Sequence, residues 1–229
     1  MAKSKIIKDL ANSEINVMTA LKRAKVLFSE LGNEELLNWI NYEIEGYPEN
    51  APLPDYRIKV GALIGSYFKG SMANHMKWNN VSLPLGKMPD NLVKDLLTIE
   101  FRDGAEALKR LEEEYAKNGG QLGKVVQAAW FPLIAKYNND LYMNITSAKV
   151  VISINAIQNV FSVIENKLLD ALLVLEKEFG NLDELDLDVT GKDASEIQKI
   201  VDKIIVIIYN DHSIKIGDGN KFKDTTVTT

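Results

Sequence analysis

A mostly helical α+β fold is predicted by three observations. Apolar residues at helical spacing dominate both halves of the chain, most clearly over 155–179. One stretch, Tyr56 to Phe68, switches to period two. After Gly180 the composition turns first acidic and then β-branched. The expected architecture is a helical body with a small antiparallel β element and a C-terminal β-rich appendage. Its expected divisions are a body over 1–180, an acidic linker over 181–194, and a short helix plus β-rich assembly tail over 195–229.

Each element has a local reason. Lys3 to about Asn12 reads as a short helix, and the Ser13 hydroxyl can cap the next one. From Glu14 to Leu31 the apolar stripe is Ile15, Met18, Leu21, Val26 and Phe28, closed by Gly32. Asn33 caps Glu34 to Glu45, and Gly46-Tyr47-Pro48 stops that helix. In the strand over Tyr56 to Phe68, Gly65 and Gly70 mark bends, and Trp78, Val81 and Leu83 form a partner strand. Pro89-Asp90 opens a helix to about Leu97, Thr98 to Arg102 is a short strand, and Gly104 to Lys117 is a charged helix. Gln121 to Tyr137 is expected to be helical, interrupted by Pro132. Ser147 to Ile154 reads as β and leads into the long helix Asn155 to Phe179, the expected centre of the core. Asn181 to Asp193 reads as an exposed linker, Ser195 to Ile204 as a short helix, and Ile205 to Thr229 as β-rich.

With 229 residues and a 46% hydrophobic fraction, one large core can form without staples. The chain has no cysteine, which excludes disulfide and thiolate chemistry. The N-terminal MAKSKIIKDLANSE lacks the apolar core of a signal peptide. The longest apolar run, Ile200 to Tyr209, is too short for a bilayer and contains Asp202 and Lys203. A cytoplasmic location, with no membrane contact in this chain, is the expectation. A net charge of −5 argues against general nucleic-acid binding. Lys22, Arg23 and Lys25 read as a solvated helix face.

The motifs of common chemistry are missing. His75 and His212 sit in no ligand-spaced cluster. Asp183, Glu184, Asp186 and Asp188 lack the glycine and closing glutamate of a calcium loop. Gly65-Ser66 and Gly70-Ser71 lack the second glycine of a nucleophile elbow, and no phosphate-cradling glycine loop is present. No catalytic residue, metal or cofactor is therefore expected. Glu43 and Glu45, near Tyr47, are the first place to look for paired carboxylates.

The tail from Ser213 to Val227 is the most informative segment. Ile214 and Ile216 fall on one side of a strand, and Gly217, Gly219 and Asn220 allow a sharp turn before Phe222 and Val227 resume the apolar positions. Two such short strands cannot bury a face alone, so they dock on the body or stack on identical copies. These seven residues are the expected self-association surface.

Two resemblances follow from these residues. Leu21-Lys-Arg-Ala-Lys-Val-Leu27, Leu31-Gly-Asn-Glu-Glu-Leu36, the W-x-x-x-E-x-x-G-Y run from Trp39 to Tyr47, Leu53-Pro-Asp-Tyr-Arg57 and Leu168 to Glu176 resemble the AbiTii domain over roughly 3–180. That resemblance implies a bacterial abortive-infection, antiphage context and no known reaction. Ile214-Lys-Ile-Gly-Asp-Gly-Asn-Lys-Phe222 resembles a RHIM-type amyloid-signalling core, with Lys215 in place of the usual Gln. The expected function is a defence sensor or adaptor that binds an effector or a phage-derived trigger protein and forms homo-oligomers through its tail. Trp39, Glu43, Tyr47, Tyr56 and Arg57 are the expected partner or ligand surface. The alternatives are a cryptic nuclease- or hydrolase-type toxin, or the soluble part of a longer membrane-linked effector.

Overall fold

The helices and strands fall largely where the hydrophobic periods put them. The structure, a computed structural model, describes residues 3–71, 74–118, 121–140 and 142–209. The helices among them are α1 (Lys5–Ala11), α2 (Val17–Glu30), α3 (Glu34–Glu45), α4 (Asp90–Leu97), α5 (Ala105–Asn118), α6 (Phe131–Tyr137), α7 (Asn155–Phe179) and α8 (Ala194–Tyr209). The strands are β1 (Ile58–Val60), β2 (Ala62–Gly70), β3 (His75–Ser82), β4 (Thr98–Glu100), β5 (Leu122–Val125) and β6 (Met143–Ile152). The fold is α+β and mostly helical, as expected.

The caps explain several boundaries. The Asn33 side chain accepts from the Leu36 amide at 3.0 Å, as expected. The cap of α2 is Asn16, which accepts from Thr19 N at 2.8 Å, and not Ser13. Ser13 instead turns the chain with a φ of 57°. The expected helix over Gln121 to Tyr137 is corrected in its first part. Leu122–Val125 pairs with β6, and the helix begins only at Phe131, with Pro132 in its first turn where a missing N–H costs nothing. Tyr56 and Arg57 lie in a 3-10 turn (Asp55–Arg57) and not in the strand.

Two apolar cores organise the chain. The larger gathers around α7, whose stripe of Ile157, Val160, Ile164, Leu168, Ala171, Leu172 and Leu175 is wholly buried. Against it lie α1, α2, α3, α5 and α8. The smaller lies under one face of a four-stranded antiparallel sheet of order β3-β2-β6-β5. Leu63, Ala148, Val150 and Met143 on that face meet Leu96 of α4 and Ile134 of α6. A separate antiparallel pair, β1 with β4, carries the chain from one core to the other.

The segment after α7 differs from expectation. Leu182 and Leu187 of the acidic stretch are buried in the larger core, so that stretch is not wholly exposed. Its Asp183 accepts from the backbone N–H of Lys5 at 2.5 Å. α8 continues to Tyr209, five residues beyond the expected end, so Ile205 to Tyr209 is helix and not strand. Ile200, Val201, Ile204 and Ile208 of α8 join the larger core. Among the described residues no helix is long and apolar enough to cross a membrane.

Candidate functional site

The motif residues of α3 and the following loop converge on one carboxylate. Trp39, Glu43 and Tyr47 succeed each other at four-residue steps, so they line one side of α3 and its exit. The 3-10 turn brings Tyr56 and Arg57 to the same place. Glu43 Oε1 accepts from Tyr47 OH at 2.6 Å, Tyr56 OH at 2.5 Å and Arg57 Nε at 3.3 Å. Glu43 Oε2 accepts from Arg57 Nη2 at 2.6 Å. Trp39 Nε1 donates to Tyr56 OH at 3.1 Å. Arg57 Nη1 donates to the carbonyls of Phe101 at 2.8 Å and Asp103 at 2.7 Å.

The expectation that these five residues form an exposed surface is corrected. The structure brings all five together, but in the interior: the Glu43 and Arg57 side chains have no solvent exposure, and Trp39, Tyr47 and Tyr56 are buried. A charged pair is tolerated there because both carboxylate oxygens and the guanidinium find partners. Burial, then the neighbouring Glu43 charge, pushes the Tyr47 and Tyr56 hydroxyls far up, so both stay protonated donors. Burial alone would lower Arg57, but Glu43 outweighs it and holds the guanidinium charged. Sequence order hides this burial, although Trp39 and Glu43 share their stripe with Leu36 and Ile40.

Glu45 does not join Glu43. It is exposed on the other side of α3, where it lines an open depression with Tyr42, Arg102 and Asp103. The expected carboxylate pair is therefore not formed. His75 stands in β3 with its ring 5.1 Å from that of Phe68. Ile214, Ile216, Gly217, Gly219, Asn220, Phe222, Val227 and His212 lie outside the described residues.

A second feature escaped the sequence reading. A groove of about 450 Å³ opens between the start of α2, α5 and α7, lined by Glu106, Lys109, Glu112, Glu113, Gln158 and Glu165, among others. Glu112 accepts from Lys109 Nζ at 2.8 Å and Gln158 Nε2 at 2.9 Å. Burial would raise its carboxyl, but these two bonds outweigh burial and hold it below the usual range. Burial pushes the Glu165 carboxyl up. Four glutamates spread over α5 and α7 leave no local spacing signal, because their meeting depends on helix packing. Among the described residues, no cluster of three acidic or histidine side chains gathers closely enough to hold a metal ion.

A helical α+β body built around a buried glutamate–arginine pair is thus the class of protein defined here. The chain belongs to the AbiTii family, whose model matches residues 4–200. Membership in this family points to an abortive-infection, antiphage role. No curated protein and no solved structure matches the chain.

Proposed function

We propose that this chain is an antiphage-defence sensor or adaptor that binds a partner and self-associates through its C-terminal segment. The observation that carries the assembly is the end of α8. Ile204-Ile-Val-Ile-Ile-Tyr209 is apolar on every side of the helix. Ile204 and Ile208 are buried, whereas Val206 is 55% and Tyr209 47% exposed. A helix end that is apolar all round calls for cover on its outer side. The seven tail residues from Ile214 to Val227 follow it directly in the chain.

The same turn has a connection to the buried network. Lys167 Nζ of α7 donates to the Ile207 carbonyl at 3.1 Å, and its charge lies 5.6 Å from the Tyr56 ring. A cation at a helix C-terminus satisfies the end carbonyls and opposes the negative dipole end. Lys167 thus touches both α8 and the buried network, beside the direct packing of α3 on α8. Binding that favours the assembled state favours assembly by mass action. Deleting 213–229 is expected to leave a folded body of smaller oligomeric mass. Light scattering across a concentration series checks this, and equal masses for both chains reject it.

A second reading, a hydrolase-type toxin, is favoured by the groove between α5 and α7. Glu112, whose carboxyl is held below the usual range, and Glu165, whose carboxyl burial raises, both line this groove, and carboxyls moved in opposite directions are what acid–base chemistry uses. Its test is the effect of Glu165→Gln on toxicity in cells. Toxicity equal to that of the unchanged chain, at equal protein level, removes this reading.

A further inference from the structure

We propose that the uncovered face of the four-stranded sheet binds single-stranded nucleic acid. The register separates the two faces. Leu63, Ala148, Val150 and Met143 point into the smaller core. Alternation puts Ile64, Ser66 and Phe68 of β2 on the opposite face. Their partners in register are Ser82 and Lys149 for Ile64, Ser147 for Ser66, and Lys77 and Asn144 for Phe68. Lys149 in turn faces Val125 of β5. None of these residues is buried, and Val125 is 84% exposed. Ile64 and Phe68 pack into neither core.

The charge on this sheet is of one sign. The four strands carry Lys69, Lys77, Lys124 and Lys149 and no acidic residue, in a chain whose net charge is −5. The two lysines on the core side are engaged: Lys69 pairs with Asp140 at 2.5 Å, and Lys124 donates to the Thr98 carbonyl. Lys77 and Lys149, on the open side, are exposed. Among the described residues neither takes part in an ion pair. In an acidic molecule, two such cations on strands that carry no carboxylate present a local site for a polyanion.

Ring placement decides which polyanion. Phe68 sits directly beside Lys77 in the register, with the His75 ring 5.1 Å away. Lys149 lies on the far side of β2, about 13 Å along the strand direction. Between the two cations are the hydroxyls of Ser66 and Ser147 and the Asn144 amide. Cations set apart along the sheet, with a ring beside one of them and small hydrogen-bonding groups between, match phosphates flanking an unstacked base. A duplex offers no base face to such a ring. A membrane surface would call for inserting apolar groups, whereas the centre of this face is serine and asparagine.

The test is fluorescence anisotropy of the full chain with fluorescein-labelled 20-nucleotide single strands, DNA and RNA, at 50 and 200 mM salt. The same DNA as a duplex and vesicles containing phosphatidylserine serve as comparisons. Single-strand binding is expected to fall steeply with salt. The double variant K77E/K149E is expected to lose at least ten-fold in affinity and to flatten the salt slope by about two. F68A is expected to lose several-fold with the slope unchanged, which a general charge effect would not do. A control on the helical body, K22E/K25E, is expected to bind as the unchanged chain. Circular dichroism confirms that each variant is folded. No single-strand binding at 50 mM salt, binding untouched by K77E/K149E, or a preference for duplex or vesicles overturns the proposal. None of the residues named for this face lies within 213–229, so deleting that segment tests the assembly reading separately.

Discussion

Glu43 and Arg57 form an ion pair with no solvent exposure. Removing either partner strands the other as a lone buried charge. Glu43→Gln or Arg57→Met is therefore expected to cost about 3–5 kcal/mol, measured by urea denaturation. The double change to two apolar residues is expected to cost less than the sum of the singles, because no lone charge remains. Additive losses would show that the two do not act as a pair. Glu176 poses a different residue-scale case. It accepts from Lys3 Nζ, the Ser4 amide and the Ser4 hydroxyl, all within 2.7 Å. Burial opposes its ionisation, but these bonds outweigh it and bring the carboxyl down to about 2. A carboxyl lower in the folded chain than its ordinary 4.5 contributes stability that is present above pH 4.5 and lost as pH falls toward 2. Glu176→Gln is expected to weaken stability at pH 7 by about 1–3 kcal/mol and to flatten its decline below pH 4.5 in acid denaturation.

At the scale of elements, the joint between α3 and α5 is set by two glycines. Gly46 leaves α3 with a φ of 110° and bridges to Asp103. Gly104 precedes α5 so closely packed that an added Cβ would fall against the Ile44 carbonyl. Gly104→Ala is expected to push the two helices apart and cost about 1–3 kcal/mol in thermal or urea unfolding. The closing turn of α8 gives the complementary prediction. Val206→Asp is expected to leave the folded body intact, since Val206 is 55% exposed, and to reduce oligomer size in light scattering. An unchanged oligomer would remove α8 from the assembly surface. Legibility at this scale was uneven for a physical reason. The bounds of α3, α4 and α7 were readable because caps, proline and the 3.6-residue stripe are local signals. The strand Leu122–Val125 was not, because four residues with one glycine become β only by pairing with β6.

Over the whole molecule, the chain combines a large helical core with a four-stranded sheet packed on a smaller core. The sheet's open face, the acidic groove and the α8 end are three separate surfaces, each tested by its own variants. The tail variant tests mass, the sheet variants test polyanion binding, and the groove variant tests toxicity. The seven tail residues proposed for assembly lie outside the described residues. The AbiTii family was legible from the run between Trp39 and Tyr47 together with Leu53 to Arg57. What those residues do in the fold was not, because an E and an R fourteen positions apart carry no sign of facing each other.

By itself the sequence determined the bounds of α3, α4 and α7, the α+β class and the family, since each rests on patterns within a few residues or on a run of adjacent letters. Tertiary structure alone decided that the motif's glutamate and arginine are buried, that four glutamates share one groove, and that two lysines, without an ion-pair partner among the described residues, stand on one sheet face. Those facts depend on which distant segments pack together, and packing is settled by the competition of whole apolar faces for cover.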